Sequence, residues 1–189
     1  MNVEVNAKEY EKLIRRLEFF NTMRNNLLTF SFTSVLTVLG VALALDMTSI
    51  GAWLCLIPFF LIIPFAARIA YYRLASAHIN SFLKMFAKDS MQFEVGSSTV
   101  KEDNCMFYKN ISWLINHEMF LLSIATSVTF YLKFAASLDN WTHWYIIELM
   151  IPILSSAIVY LLSHSTYSYK KLMEGFEDRW ESYIEDPYT

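Results

Sequence analysis

The sequence predicts an all-α integral membrane protein: four transmembrane helices in two hairpins, with amphipathic cytoplasmic helical extensions and both termini on the cytoplasmic side. Three observations carry that expectation. Uncharged stretches run from Asn25 to Leu45, Met47 to Ala67, Met119 to Leu132 and Leu149 to Tyr169, and a spanning helix needs roughly 20 apolar residues. Of the 15 Lys and Arg residues, all but Lys133 fall on one side once the four stretches are threaded across a bilayer, and the positive-inside rule assigns that side to the cytoplasm. Outside the stretches, apolar residues recur at helical spacing, as on helices that pack through one face. With 55% hydrophobic and 16% aromatic residues, the chain is too apolar for an ordinary soluble domain. A soluble bundle of unusually apolar helices is the alternative, and the one-sided cations argue against it.

Residues 1–24 read as a cytoplasmic amphipathic helix. Asn6 is placed to cap it, with Glu9 three residues on. Tyr10, Leu13, Ile14, Leu17 and Phe20 form the apolar stripe, while Glu11 and Arg15 make an i,i+4 pair on the other side. Acidic and basic residues alternate here and no small-residue cleavage site follows a short apolar core, so the segment does not read as a signal peptide. Residues 25–68 form the first transmembrane hairpin. Residues 69–104 hold a second cytoplasmic helix, with Ile69, Tyr72, Ile79, Phe82, Leu83 and Phe86 as its stripe, and a polar loop over 91–104 that contains Gly96.

Residues 105–165 form the second hairpin, its third span extended through Glu118 toward Trp113. Residues 166–189 close the chain as a C-terminal helix striped by Leu172, Met173, Phe176, Trp180 and Tyr183. Its polar face carries Glu174, Glu177, Asp178, Glu181, Glu185 and Asp186, which anionic lipid would repel, so a helical bundle below the membrane is expected. Cys55 lies in a span and Cys105 on the cytoplasmic side, a placement that favours no disulfide. The sequon asparagines Asn110 and Asn140 read as unmodified loop residues.

No enzyme is expected. The chain has no Walker loop, GxGxxG, CxxC, HExxH or GxSxG motif, and no cofactor or metal is implied. Polar residues inside the spans are what remain. The first span carries Asn26, Thr33, Thr37, Gly40 and Ala44 on one face, the third Ser112, Asn116, Ser123 and Ser127, and the fourth Glu148, Ser155, Ser163 and Thr166. Such seams mean either close helix packing or a water-contacting lining. The pore-lining or gating residues under the second reading are Asn116, His117, Glu118, Ser123, Ser127, Thr33 and Thr37.

Two carboxylates in the second hairpin need partners. With its turn near Asp139 to Trp141, Lys133 meets Glu148 at the outer interface, beside Trp141, Trp144 and Tyr145. Glu118 falls opposite Tyr160 to His164, so it is tied to His164 or forms part of a carboxylate ring at the mouth of an oligomeric pore. An intramembrane enzyme would rest only on His117, Glu118 and His164. Four helices in one protomer fill their own centre with side chains, so a channel requires a homo-oligomer. On the cytoplasmic side Arg15, Arg16, Lys84 and Lys88 offer cations to an anionic nucleotide or oligonucleotide, against salt bridges to Glu11, Glu18 and the acidic C-terminal helix.

The stretches "KEYEKLIRRLEFFNTMRNNLLTFSFTSVLTVLGVAL" and "RIAYYRLASAHINSFLKMF" resemble the pattern of bacterial SLATT-type membrane effectors. More generally the chain is similar in size and plan to small transmembrane effectors of nucleotide-activated antiphage systems, such as the Hailong type. The second hairpin departs from the two-span SLATT plan. The resemblance implies an oligomeric, ligand-gated channel or pore in the bacterial inner membrane. It would stay closed until a nucleotide signal or a regulatory protein partner reaches its cytoplasmic helices. The competing expectation is a non-conducting membrane scaffold or accessory subunit.

Overall fold

The computed structural model of the protein describes residues 7–45, 49–86, 113–136, 144–166 and 169–185. Asn6, Lys88, Cys105, Asn110, Ser112, Asn140, Trp141 and the 91–104 loop lie outside the described residues. Among the described residues the principal helices are α1 (Ala7–Ala44), α2 (Ser49–Leu54), α3 (Ile57–Phe86), α4 (Glu118–Ala136), α5 (Trp144–Ser165) and α6 (Tyr169–Glu185). No strand occurs among the described residues. Among the described residues four stretches are long and apolar enough to cross a membrane: Lys8–Ala44, Ala52–Phe86, Glu118–Ala135 and Ile146–Ser165.

α1 is one unbroken helix of 38 residues, about 57 Å at about 1.5 Å per residue, so it is far longer than the ~30 Å hydrocarbon core. Its amphipathic first half and its apolar second half share one axis. One face of the whole helix packs on α3. In the first half Tyr10, Leu13, Ile14, Leu17 and Phe20 surround the buried Ile79 and Leu83. In the second, Val35, Leu39 and Ala42 enter the main core with Phe59, Ile62, Ala66 and Ile69 of α3. The helices run antiparallel, as the Phe20–Tyr72 and Phe30–Phe65 ring contacts show.

The second uncharged stretch is not one continuous helix. α2 ends at Leu54, and two short-range bonds, Cys55 N–H to Ala52 O at 3.0 Å and Leu56 N–H to Trp53 O at 2.9 Å, turn the chain into α3. Pro58 is the cause, because its ring has no N–H and would clash with the carbonyl of residue 54, whereas it fits the first turn of the new helix. Cys55, Leu56, Pro58 and Phe59 are all buried, so the irregular backbone is sheltered by protein and not by lipid.

α3 is the hub, packing against every other helix of the fold. α4 and α5 pair antiparallel through Ser127 Oγ and Ser156 Oγ at 3.0 Å and through Tyr131, whose hydroxyl donates to Leu149 O at 2.7 Å. α6 folds back on the far end of α3. There Trp180 stacks on His78 and meets Phe82 and Phe86 edge-on, Asn80 donates to the Tyr169 hydroxyl, and Lys84 Nζ binds both Glu177 oxygens at 2.8 and 3.0 Å.

If aromatic packing holds α6, Trp180→Ala should lower stability by roughly 3 kcal/mol and speed hydrogen exchange over Tyr169–Glu185 while the spans keep their protection. Unaltered exchange there would assign the docking of α6 to the Lys84–Glu177 pair instead.

Candidate functional site

Among the described residues two charged side chains are buried, Lys133 of α4 and Arg73 of α3, and Arg73 lies where several helices meet. Arg73 follows Ile69 by four residues and precedes Ser76 and Ala77, all buried, so helical spacing carries its side chain into the core. It is only 8% exposed. A guanidinium in such a place must be hydrogen-bonded or it costs several kcal/mol.

The partner is created by a bend. Residues 113–116 form a helical turn that stops at His117, whose N–H donates to both Trp113 O at 3.0 Å and Leu114 O at 3.2 Å. The next carbonyls, Ile115 and Asn116, receive the guanidinium: Arg73 Nη1 donates to Asn116 O at 2.9 Å and Nη2 to Ile115 O at 3.3 Å. Arg73 thus ties the middle of α3 to the entrance of α4. Its Nε is buried and finds no hydrogen-bond partner among the described residues. Two further charges act on it, the repelling Arg24 of α1 and the attracting Glu118 carboxylate at the start of α4. Glu118 is half-buried and makes no direct ion pair with Arg73. Between them lies a cavity of about 10 Å³, lined also by Asn116, Ser163 and Thr166. That is the room of a single water molecule, so no nucleotide or metal complex enters unless the helices part.

The geometry redistributes the residues singled out from the sequence. Glu118 shares a small cavity with Arg73, and no bond joins it to His164, which is exposed and stacks on Tyr160 at 5.4 Å. His117 is fully buried, its Nδ1 2.9 Å from Trp113 O, its ring stacked on Trp113 and 6.4 Å from His164. Ser123 is buried and donates to Phe120 O, and Ser127 ties α4 to α5. The expected Lys133–Glu148 pair is replaced. Lys133 Nζ donates to Leu43 O at 3.1 Å and Leu45 O at 2.7 Å, because the end of α1 presents carbonyls with no helical partner and a negative dipole.

Thr33 and Thr37 lie on the outside of α1, their hydroxyls donating to the carbonyls of Thr29 and Thr33. Of the cytoplasmic cations, Arg15 pairs with Glu11 at 2.7 Å and Lys84 with Glu177, while Arg16 is exposed. These two salt bridges are the alternative weighed against ligand binding for Arg15 and Lys84. No group of His, Cys, Asp and Glu able to hold a metal occurs among the described residues.

Arg73 was missed in the sequence, where it reads as one more cytoplasmic flanking cation. Its position on the Ile69, Ser76, Ile79, Leu83 face was the signal. No protein-family model matches the chain, and no curated protein or solved structure matches it either. The fold and the site define a class by themselves: an all-α chain whose four long apolar helices support an integral membrane protein, with a buried arginine at their junction.

Replacing Arg73 by Ala removes the donors of two part-buried carbonyls and should cost roughly 1 to 3 kcal/mol, read as thermal unfolding in detergent. Glu118→Gln, which removes only a charge at a distance, should cost about 1 kcal/mol. The double change should fall short of the sum, the sign of direct coupling. Strict additivity would place Glu118 outside the Arg73 centre.

Proposed function

We propose that the protein is a gated pore of the bacterial inner membrane, built as a homo-oligomer with the N- and C-termini of each copy in the cytoplasm. One observation carries the reading. Thr22, Asn26, Thr29, Thr33, Thr37, Gly40 and Ala44 recur every three or four residues along α1, and every one of them is exposed, on the side of the helix turned away from α3. The stripe contains no large aliphatic residue. Beside the stripe α1 exposes Phe30, Leu36, Val41 and Leu43, and the other spans expose Phe60, Leu132, Ile147, Leu154 and Leu161, which suits lipid tails.

Gly40 sharpens the point. A glycine inside a helix costs about 1 kcal/mol relative to alanine, and a Cβ built at Gly40 would meet nothing within 4 Å. Packing within the protomer gives no reason for it. Small and hydroxyl-bearing faces are how membrane helices approach one another, so a second copy accounts for the stripe. The protomer itself has no lumen, since Val35, Ile62, Phe130 and Val159 fill its centre. The conducting path therefore runs between copies of α1, and α4 supports it from behind.

The cytoplasmic half of α3, with α6 and the first half of α1 packed on it, joins the Arg73 centre through one continuous helix. A signal that moves these helices reaches the membrane through α3. The resemblance to antiphage effectors supports a nucleotide, oligonucleotide or regulatory protein as that signal, with loss of membrane integrity as the outcome, and exposed Arg15 and Arg16 as its first contact. A second reading, a non-conducting scaffold or accessory subunit, is favoured by the inward placement of His117 and Ser123.

Cysteine cross-linking separates the two. In a chain carrying Cys55→Ala and Cys105→Ser, Thr33→Cys should form disulfide-linked dimers in native membranes, whereas Leu161→Cys, on the lipid-facing side of α5, should not. Purified protein should then release dye from liposomes. Cross-linking without release would support the scaffold.

A further inference from the structure

We infer that the cavity beside Arg73 is a binding site for one firmly held water molecule, which bridges the guanidinium to the Glu118 carboxylate and to the hydroxyls of α5. The inference concerns the protomer alone and holds whether or not its copies form a pore.

Two independent observations meet at the site. Arg73 is more than nine-tenths buried, and two of its nitrogens are taken up by the carbonyls of Asn116 and Ile115. Its Nε is buried as well and finds no acceptor among the described residues. A guanidinium N–H left dry in such a place is costly, and an orphan of this kind is a regular sign of an ordered water. The cavity is the second observation. Its volume of about 10 Å³ is enclosed by Arg73, Asn116, Glu118, Ser163 and Thr166, and the rest of its wall is apolar.

The chemistry of that wall selects the occupant. A cation would sit against the guanidinium and an anion against the carboxylate, each beside the like charge it must avoid. Water meets neither obstacle. Its oxygen accepts from the guanidinium, while its protons go to Glu118 and to a hydroxyl oxygen of α5. A buried water needs roughly two to four polar partners and room for about one sphere of its own size; the cavity supplies both. Ser163 and Thr166 are buried, and the Thr166 hydroxyl makes only long contacts of 3.4 Å, to Leu162 O and Ser163 O, so its lone pairs stay available. The bridge also completes Glu118, which is half-buried and makes no direct ion pair with Arg73. Such a bridge is nearly as favourable as a direct bond, and it brings α5 into a joint that the carbonyl bonds make between α3 and the entrance of α4 alone.

The test is nuclear magnetic resonance on the full chain in detergent micelles, with isotope-labelled arginine and the Arg73 Nε–H assigned through its own side-chain carbons. The expected result is a cross-relaxation peak at the water frequency, of the sign that marks a held water. The same Nε–H should exchange with bulk water about tenfold more slowly than that of exposed Arg16. A slowly exchanging Nε–H without the water peak means a dry guanidinium, or one closed directly on Glu118, and overturns the inference. Exchange as fast as that of Arg16 means open solvent and overturns it too. Ser163→Val fills the cavity and removes a hydroxyl, so it should abolish the peak, and persistence of the peak puts the water elsewhere and overturns the inference. Where that variant does not fold, the spectrum of the unaltered chain decides by itself. An ion in place of water is read in the same sample. Replacing sodium by choline and chloride by gluconate, at constant ionic strength, should leave the Arg73 Nε–H resonance unmoved, and a resonance that follows either ion overturns the inference.

Discussion

The guanidinium of Arg73 holds two backbone carbonyls that the chain has itself exposed, and the arrangement of the helices follows from that contact. A bend at His117 brings the Ile115 and Asn116 carbonyls to the guanidinium, and a carbonyl left unsatisfied away from water is costly. A buried arginine without acceptors would be equally costly. Each defect cures the other, and the cure works only while α3 and the start of α4 stay in register. Arg24, Glu118 and the cavity beside them adjust the charge of this centre, but the two hydrogen bonds locate it.

The same logic recurs wherever helices of this protein meet. In lipid the hydrophobic effect draws no helix toward another, so directional contacts must specify the neighbours. Here those contacts run from a side chain on one helix to a backbone carbonyl or hydroxyl on another: Lys133 to the end of α1, Tyr131 to Leu149, Ser127 to Ser156. Two of the three use carbonyls near a helix end or near Pro152, which disturbs α5 one turn on. Irregular backbone serves as the docking point. The apolar core then fills the space between, as in any well-packed interior.

This explains which parts of the fold were legible in the sequence. Length and charge of the apolar stretches marked the four spans, and the Leu13, Ile14, Leu17, Phe20 stripe named the face of α1 that packs on α3, because periodicity is a property of one helix. The partners of Glu118 and Lys133 were not legible, because a carbonyl at a bend or a helix end carries no side-chain signature. Opposite charges on facing helices suggested His164 and Glu148, yet backbone groups that had to be satisfied were nearer. The break at Leu54 stood in view as Pro58. Reading the stretch by hydropathy alone passed over it, since hydropathy measures whether a segment can enter lipid and not whether it stays helical.

The three kinds of span also differ in how they can move. α1 has no proline and no interruption over its 38 residues, so it transmits a push from its N-terminal end to Ala44 as a rod. The span made of α2 and α3 is broken at Cys55 and Leu56, and α4 is bent at His117, which are the positions where backbone angles can change without losing a full helical ladder. Arg73 sits on the rigid part of α3 and grips the bent entrance of α4, while Lys133 at the other end of α4 grips the end of α1. A shift of α3 along its axis therefore reaches the far end of α1 by two routes: directly, through the packed face, and around through α4. The face of α1 left free of both is the exposed one that carries Thr33 and Thr37, so a movement gathered by the whole protomer is delivered to that surface.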